Sequence, residues 1–288
     1  MSEHRPRALP VLLPKSDVLR ALERRDEGAG FAVPLGLKFG FALLATFVIS
    51  TAVATARGGP EKATVLALVI KWTPLLATGF VFNLIISFLA MALGTVAGAF
   101  LGLGQISRNP TVARVSATVT HFFRNAPWLV LLFFCMYLLP FQWRIGHAIV
   151  PFPDWVKAIL GLALPVMANV AEIVRGGVVS LPVTQWEAAA SLALSRSQTL
   201  RLVILPQAVK RMLPPWMNLY AILTMATVLA SIVGVTEVLT LTSRALNAET
   251  RPDLLIPLYS WVLLWFFLYC YPIARFTSRL ERRFTIVG

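Results

Sequence analysis

Five stretches of this chain, residues 39–56, 72–107, 125–143, 212–236 and 254–274, contain no Asp, Glu, Lys or Arg, and each is at least 18 residues long. A bilayer core about 30 Å thick is crossed by roughly 20 apolar residues in a helix, because an unpaired backbone amide or carbonyl in hydrocarbon costs several kcal/mol. Such runs predict membrane-spanning helices. In the longest run, Pro74 and the glycine-rich end favour a short surface entry followed by one helix over residues 80–105. A sixth apolar segment, residues 156–174, is interrupted by Pro165 and bounded by Glu172 and Arg175. The expected fold is an all-α integral membrane protein with six transmembrane helices. Composition agrees: 57% of residues are hydrophobic and 14% charged, against about 45–50% and about 25% in a soluble domain.

The net charge of +13 would suggest a nucleic-acid partner in a soluble chain, but its distribution gives a different explanation. With six spans and an inside N-terminus, eighteen of the 26 Lys and Arg fall on inside segments, seven on outside segments, and Lys38 at the inner edge of the first span. The positive-inside rule then puts both termini in the cytoplasm. About 30 polar, basic residues precede the first span, which reads as a retained anchor and not a cleavable signal. Cys135 and Cys270 fall within spans, as buried thiols would.

Gly94, Gly98 and Gly102 recur at four-residue spacing, the small-residue pattern that lets membrane helices approach closely. Between the fourth and fifth spans, Thr184 stands three residues before Glu187 and Ser195 three before Gln198. Both are capping-box spacings, predicting short helices over residues 185–194 and 196–204, the second ended by Pro206. The first is Ala-rich with Trp186, Ala190 and Ala193 on one stripe, and its small side chains allow a second protein surface to come close.

The run from Glu187 through Ala188, Ala189, Leu194, Ser195 and Arg196 to Pro206 resembles the EAA loop of binding-protein-dependent ABC importer permeases. The segment Ala171-Glu-Ile-Val-Arg-Gly-Gly177, the Phe123-Arg124-Asn-Ala-Pro127 that opens the third span, and Ala230-Ser-Ile-Val-Gly-Val235 are similar to the polar amino acid and opine type of that family (a MetI-like transmembrane fold). The resemblance spans roughly residues 72–283. It implies a five-helix permease core over residues 63–283, an additional N-terminal helix and outer turn over residues 31–62, a basic N-terminal segment over residues 1–30 and a tail over residues 284–288. It further implies a coupling loop over residues 182–206, with Trp186, Glu187, Ala188, Ala189, Ala193, Leu194, Ser195 and Arg196 at the contact with an ATPase. The implied partners are a second permease subunit, two cytoplasmic ATP-binding subunits that hold ATP and Mg, a solute-binding protein outside, and membrane lipid. The implied place is a bacterial inner membrane and the implied cargo an amino acid or derivative. The sequence departs from the family in three places: Ala193 replaces a Gly, Arg124-Asn-Ala-Pro127 replaces Arg-Gly-Thr-Pro, and Met225-Ala-Thr-Val228 replaces a polar Lys-Asp-Thr-Ser.

No Gly-x-x-x-x-Gly-Lys-Ser/Thr loop occurs, so the chain carries no ATP site of that kind, and no cofactor is expected in it. His4, His121 and His147 are scattered away from Cys and carboxylates, so no metal site is expected. A gradient-driven secondary carrier, the alternative reading, calls for intramembrane carboxylates, and Glu172 alone qualifies in this reading. Glu172 and Arg175 share a helix face, either as a pair anchoring the loop or as pathway groups, with Asn169 one turn earlier. Asn83, Thr224 and Thr227 are further pathway candidates.

Overall fold

The computed structural model describes residues 35–57, 64–145 and 148–284. The expected basic segment 1–30, most of the outer turn, His147 and the tail beyond Phe284 lie outside the described residues. Two compact units are distinguished, Met1–Ala42 and Leu43–Gly288. Of the first, residues Leu35–Ala42 are the opening turns of α1 (Leu35–Arg57).

In the second unit, α2 (Val65–Gln105) runs 41 residues without a break, about 62 Å at 1.5 Å per residue. The expected surface entry at Pro74 is corrected: the helix starts at Val65 and passes through Pro74. Thr73 and Thr78 return their hydroxyls to the carbonyls of Val69 and Leu75 at 2.7 Å, and the Trp261 indole donates to Thr73 Oγ1 at 3.1 Å. Hydroxyls and packing against neighbours are what make Pro tolerable in a membrane helix. Leu68, Val69 and Leu76 are buried with Leu254, Leu258 and Val262 of α9 and the short turn before it; α9 is Leu255–Phe284.

The glycine stripe meets α5 (Asp154–Val179). A Cβ on Gly98 would lie 2.5 Å from the Met167 carbonyl oxygen, one on Gly102 2.7 Å from that of Ala171, and one on Gly94 2.5 Å from Val166 Cγ1. The two backbones touch, as the four-residue spacing anticipates.

The third span is broken. α3 (Pro110–Asn125) is capped by Asn109, which accepts from Thr111 N at 3.0 Å, and α4 (Trp128–Leu138) is bent from it by 102°. Pro127 is the cause: it removes an amide and forces Ala126, at ψ 135°, out of the helical region. What reads as one helix over residues 125–143 is thus eleven residues of helix followed by the antiparallel hairpin β1 (Gln142–Ile145) and β2 (Ala148–Pro151). Among the described residues five helices are long and apolar enough to cross a membrane, or six if the bent pair is one span.

After α5 come α6 (Val183–Ser191), a single turn at Arg196–Gln198, a π-helical segment Thr199–Ile204 and α7 (Leu205–Ala226). Pro206 does not end a helix here. The preceding π turns have already shifted the ladder, with Leu205 N bonding Leu200 O, and the missing amide of Pro206 falls in the first turn of α7. Beyond Ala226 the chain tightens into a 3₁₀ turn (Thr227–Ser231), passes Gly234 at φ 93°, and enters α8 (Val238–Glu249). α8 lies outside the charge-free runs and has no counterpart among the expected spans. Cys135 and Cys270 are buried free thiols.

Candidate functional site

Two surfaces concentrate the residues singled out by sequence, and both lie where α5 gives way to α6 and α7. Pro182 is the N-cap of α6 and no side chain caps it; Thr184 sits inside the first turn, so the first expected capping box does not form. The second does: Ser195 Oγ accepts from Gln198 N at 3.4 Å and Gln198 Oε1 accepts from Ser195 N at 2.8 Å. Between them α6 ends in a Schellman closure, with Leu194 N bonding Ala189 O at 3.1 Å and Ala193 N bonding Ala190 O at 2.9 Å. This requires a left-handed residue at Ala193, whose φ is 54°. The position where the family places Gly is therefore the one whose backbone asks for it.

One side of α6 is anchored. Ala189 is buried, and Trp186 packs on a small core of Val178, Leu181, Ile204 and Ala208. The Arg196 guanidinium stands 5.1 Å over the Trp186 ring and donates to Ile106 O, just past the end of α2, at 3.3 Å. The other side faces outward: Glu187 and Ala188 are exposed, with Val183 and Leu192 at 69% and 75%.

Beside this segment lies a cavity of about 890 Å³ lined by residues of α3, α5, α7 and α9. On its wall Glu172 accepts from Arg175 Nη2 at 2.8 Å and Nε at 3.3 Å, while Arg124 Nη1 lies 3.5 Å from Glu172 Oε2. Asn169 lines the same wall, its amide bonded to Pro165 O at 2.8 Å. Arg211 lines it too, donating to Ser180 O at 2.6 Å. Asn169, Glu172 and Arg175 are thus brought together, and Arg124 joins them, a residue that the sequence reading quoted only within a motif.

Asn83, Thr224 and Thr227 are fully buried and line no part of this cavity. Asn83 Nδ2 donates to Thr227 Oγ1 and to Glu237 Oε2, each at 3.0 Å, and Asn83 Oδ1 accepts from Val238 N at 3.1 Å. Glu237 in turn caps α8 through Leu239 N and Thr240 N at 2.9 and 3.0 Å. Glu237 is a fully buried carboxylate that the sequence reading did not single out; its signal was an acidic residue just before an apolar helical run. Lys157 was also missed. Its side chain is fully buried, with Nζ 3.4 Å from Asp154 Oδ1 and 3.4 Å from the Phe141 ring centre.

A second, apolar groove of about 610 Å³ runs between α7 and α9, and it shares Asn218 and Ile222 with the polar cavity. Met225 and Val228, two of the departures from the family pattern, lie along it.

A helical membrane bundle here carries a short exposed helix between two long apolar helices, beside a polar cavity. The family described as the binding-protein-dependent transport system inner membrane component matches residues 94–286, and the chain belongs to it. It is 33% identical over 206 residues to the inner membrane amino-acid ABC transporter permease protein YhdY of Escherichia coli, covering 72% of this chain and 55% of that one. It is 37% identical over 172 residues to the probable amino-acid ABC transporter permease protein YckA of Bacillus subtilis, covering 60% and 74%. The chain thus spans just over half the length of the first relative and about three quarters of the second. Among solved structures it is similar to an amino acid ABC transporter crystallised with histidines, with a TM-score of 0.66 at 24% identity, covering 77% of this chain and 100% of that one. A methionine transporter in an inward-facing conformation follows, with a TM-score of 0.58 at 20% identity, covering 74% and 98%. At these identities the two structures speak for the fold alone.

Proposed function

We propose that this chain is the membrane-spanning permease subunit of an ATP-driven importer that moves an amino acid or amino-acid derivative inward by alternating access. It pairs with a second permease subunit around a central path, in a bacterial inner membrane with both termini cytoplasmic. A solute-binding protein delivers cargo outside, two ATP-binding subunits dock inside, and residues 63–283 form the working core.

The observation that carries this reading is the two-sidedness of α6. Its exposed side offers Glu187, Ala188 and Leu192 to a partner, with Ala193, Ser195 and Arg196 beside it. Its anchored side is tied through Trp186 and Arg196 to the ends of α2, α5 and α7. A helix held this way passes a push from a partner directly to three spans. Next to it lies the π-helical Thr199–Ile204, a rare geometry frequently found at functional sites. Movement of α5 and α7 would then change the cavity that holds Glu172, Arg175 and Asn169.

The test is co-purification of the detergent-solubilised chain with the ATP-binding subunit encoded beside it, comparing wild type with Glu187→Lys. Capture by wild type and at least tenfold loss of binding-protein-stimulated ATP hydrolysis in the variant support the reading. Absence of any bound ATPase, or a variant indistinguishable in both assays, refutes it.

A further inference from the structure

Resting on the importer reading, we propose that the transported solute has an amino-acid head group and a large apolar side chain, which lodges in the groove between α7 and α9 while Asn218 bonds the head at its mouth. The groove and the ionic cavity adjoin, because Asn218 and Ile222 line both. At one end stand Glu172, Arg175 and Arg124, charges of both signs suited to an ammonium and a carboxylate. At the other end the lining is apolar.

The few polar groups of the groove are already engaged. The Cys270 thiol donates to Ala221 O at 3.9 Å, Tyr271 accepts from Arg275 at 3.3 Å, and the Tyr259 and Ser243 hydroxyls lie 3.1 Å apart. Asn218 is the exception. It sits well inside α7, is exposed where the groove and the cavity adjoin, and its side chain makes no hydrogen bond within the described residues. An amide offers two donors and an acceptor, so it can bond either half of a zwitterion. A lipid acyl chain in the groove would leave that amide unsatisfied. A charged side chain there would be stripped of water without a partner, which apolar surroundings disfavour strongly. An apolar side chain below a zwitterionic head satisfies both ends, and the groove volume falls within the range of small-molecule sites, about 300–1,000 Å³.

Met225, 49% exposed along this groove, is the informative position. An uncharged side chain there keeps the middle of the groove apolar, and a charge at the same place would close it to apolar cargo.

The experiment uses the intact complex with its ATP-binding and permease partners in nanodiscs, with p-benzoyl-L-phenylalanine as photoprobe and peptide mapping of the label. Labelling around Met225 is expected, reduced at least tenfold by excess L-phenylalanine and unaffected by L-arginine or L-aspartate. Met225→Asp is expected to lower it at least tenfold, and Met225→Trp, which fills the groove without adding polarity, to do the same in a chain that still binds its partners. Label that no amino acid displaces means the groove holds lipid, and label displaced best by arginine or aspartate means a polar cargo; either result overturns the inference. An assembly that binds its ATPase and hydrolyses ATP but shows no label in the groove overturns it while leaving the importer reading in place. A chain that captures no ATPase removes the importer reading itself.

Discussion

Arg124, at the end of α3, reaches to 3.5 Å from the Glu172 carboxylate of α5, which already holds Arg175 in two hydrogen bonds. Two motifs far apart in the chain therefore close into one ionic cluster on the wall of the cavity. The guanidiniums are 47% and 43% exposed and the carboxylate 14%, so each pair is a screened interaction of about 1 kcal/mol or less. Glu172→Gln is expected to cost little in thermal stability while lowering transport-coupled ATP hydrolysis at least tenfold. A Glu172→Gln loss in melting temperature comparable to that of a core truncation would assign the cluster to stability alone.

The α2–α5 contact makes a sharper stability prediction. Gly98→Ala would put a methyl 2.5 Å from the Met167 carbonyl oxygen, and backbone cannot yield as a flexible side chain does. A loss of about 1–3 kcal/mol follows. Gly176→Ala, on the same α5 but with nothing within 4 Å of the new carbon, is expected to be neutral or to gain up to about 1 kcal/mol from helix propensity. Melting curves of the two variants in one detergent check the contrast.

Ala193 holds a left-handed conformation that an alanine adopts at a cost of about 1–2 kcal/mol. Ala193→Gly relieves that cost but gives the unfolded chain more freedom, which returns part of it. The net expectation is a gain of about 0.5–1 kcal/mol. A variant less stable than wild type would mean that the α6 closure differs from the one described.

Glu249, at the end of α8, accepts from Lys71 Nζ at 2.6 Å and from the Trp72 indole at 2.9 Å. These donors, Lys71 foremost, hold its carboxyl below the ordinary carboxylate range. A carboxylate with a depressed folded pKa adds stability that is fully present above the unfolded value, about 4.3, and is lost as pH falls through the lower folded value. The melting temperature of wild type is therefore expected to exceed that of Glu249→Gln at pH 7, with the difference shrinking below about pH 4.3. A gap independent of pH would exclude the ionised carboxylate as its source.

Much of the architecture was legible in the chain. Runs without charge dictate spans because hydrocarbon accepts no unpaired backbone, and the Gly94–Gly98–Gly102 stripe announces a close helix contact because only the absence of a Cβ permits it. The family resemblance and the Ser195–Gln198 cap were equally local, resting on residues a few positions apart. What tertiary structure decided is of another kind. Pro74 passes through α2, whereas Pro127 breaks a helix by 102°, and the prolines alone do not separate the two cases. Glu237 and Asn83 lie on segments distant in the chain and become a buried hub only when α8 packs on α2. Likewise Asn218 is one amide among many until folding leaves it without a partner at the seam of two cavities. Local sequence sets which groups must avoid lipid, and long-range packing sets which of them find each other and which are left open to a ligand.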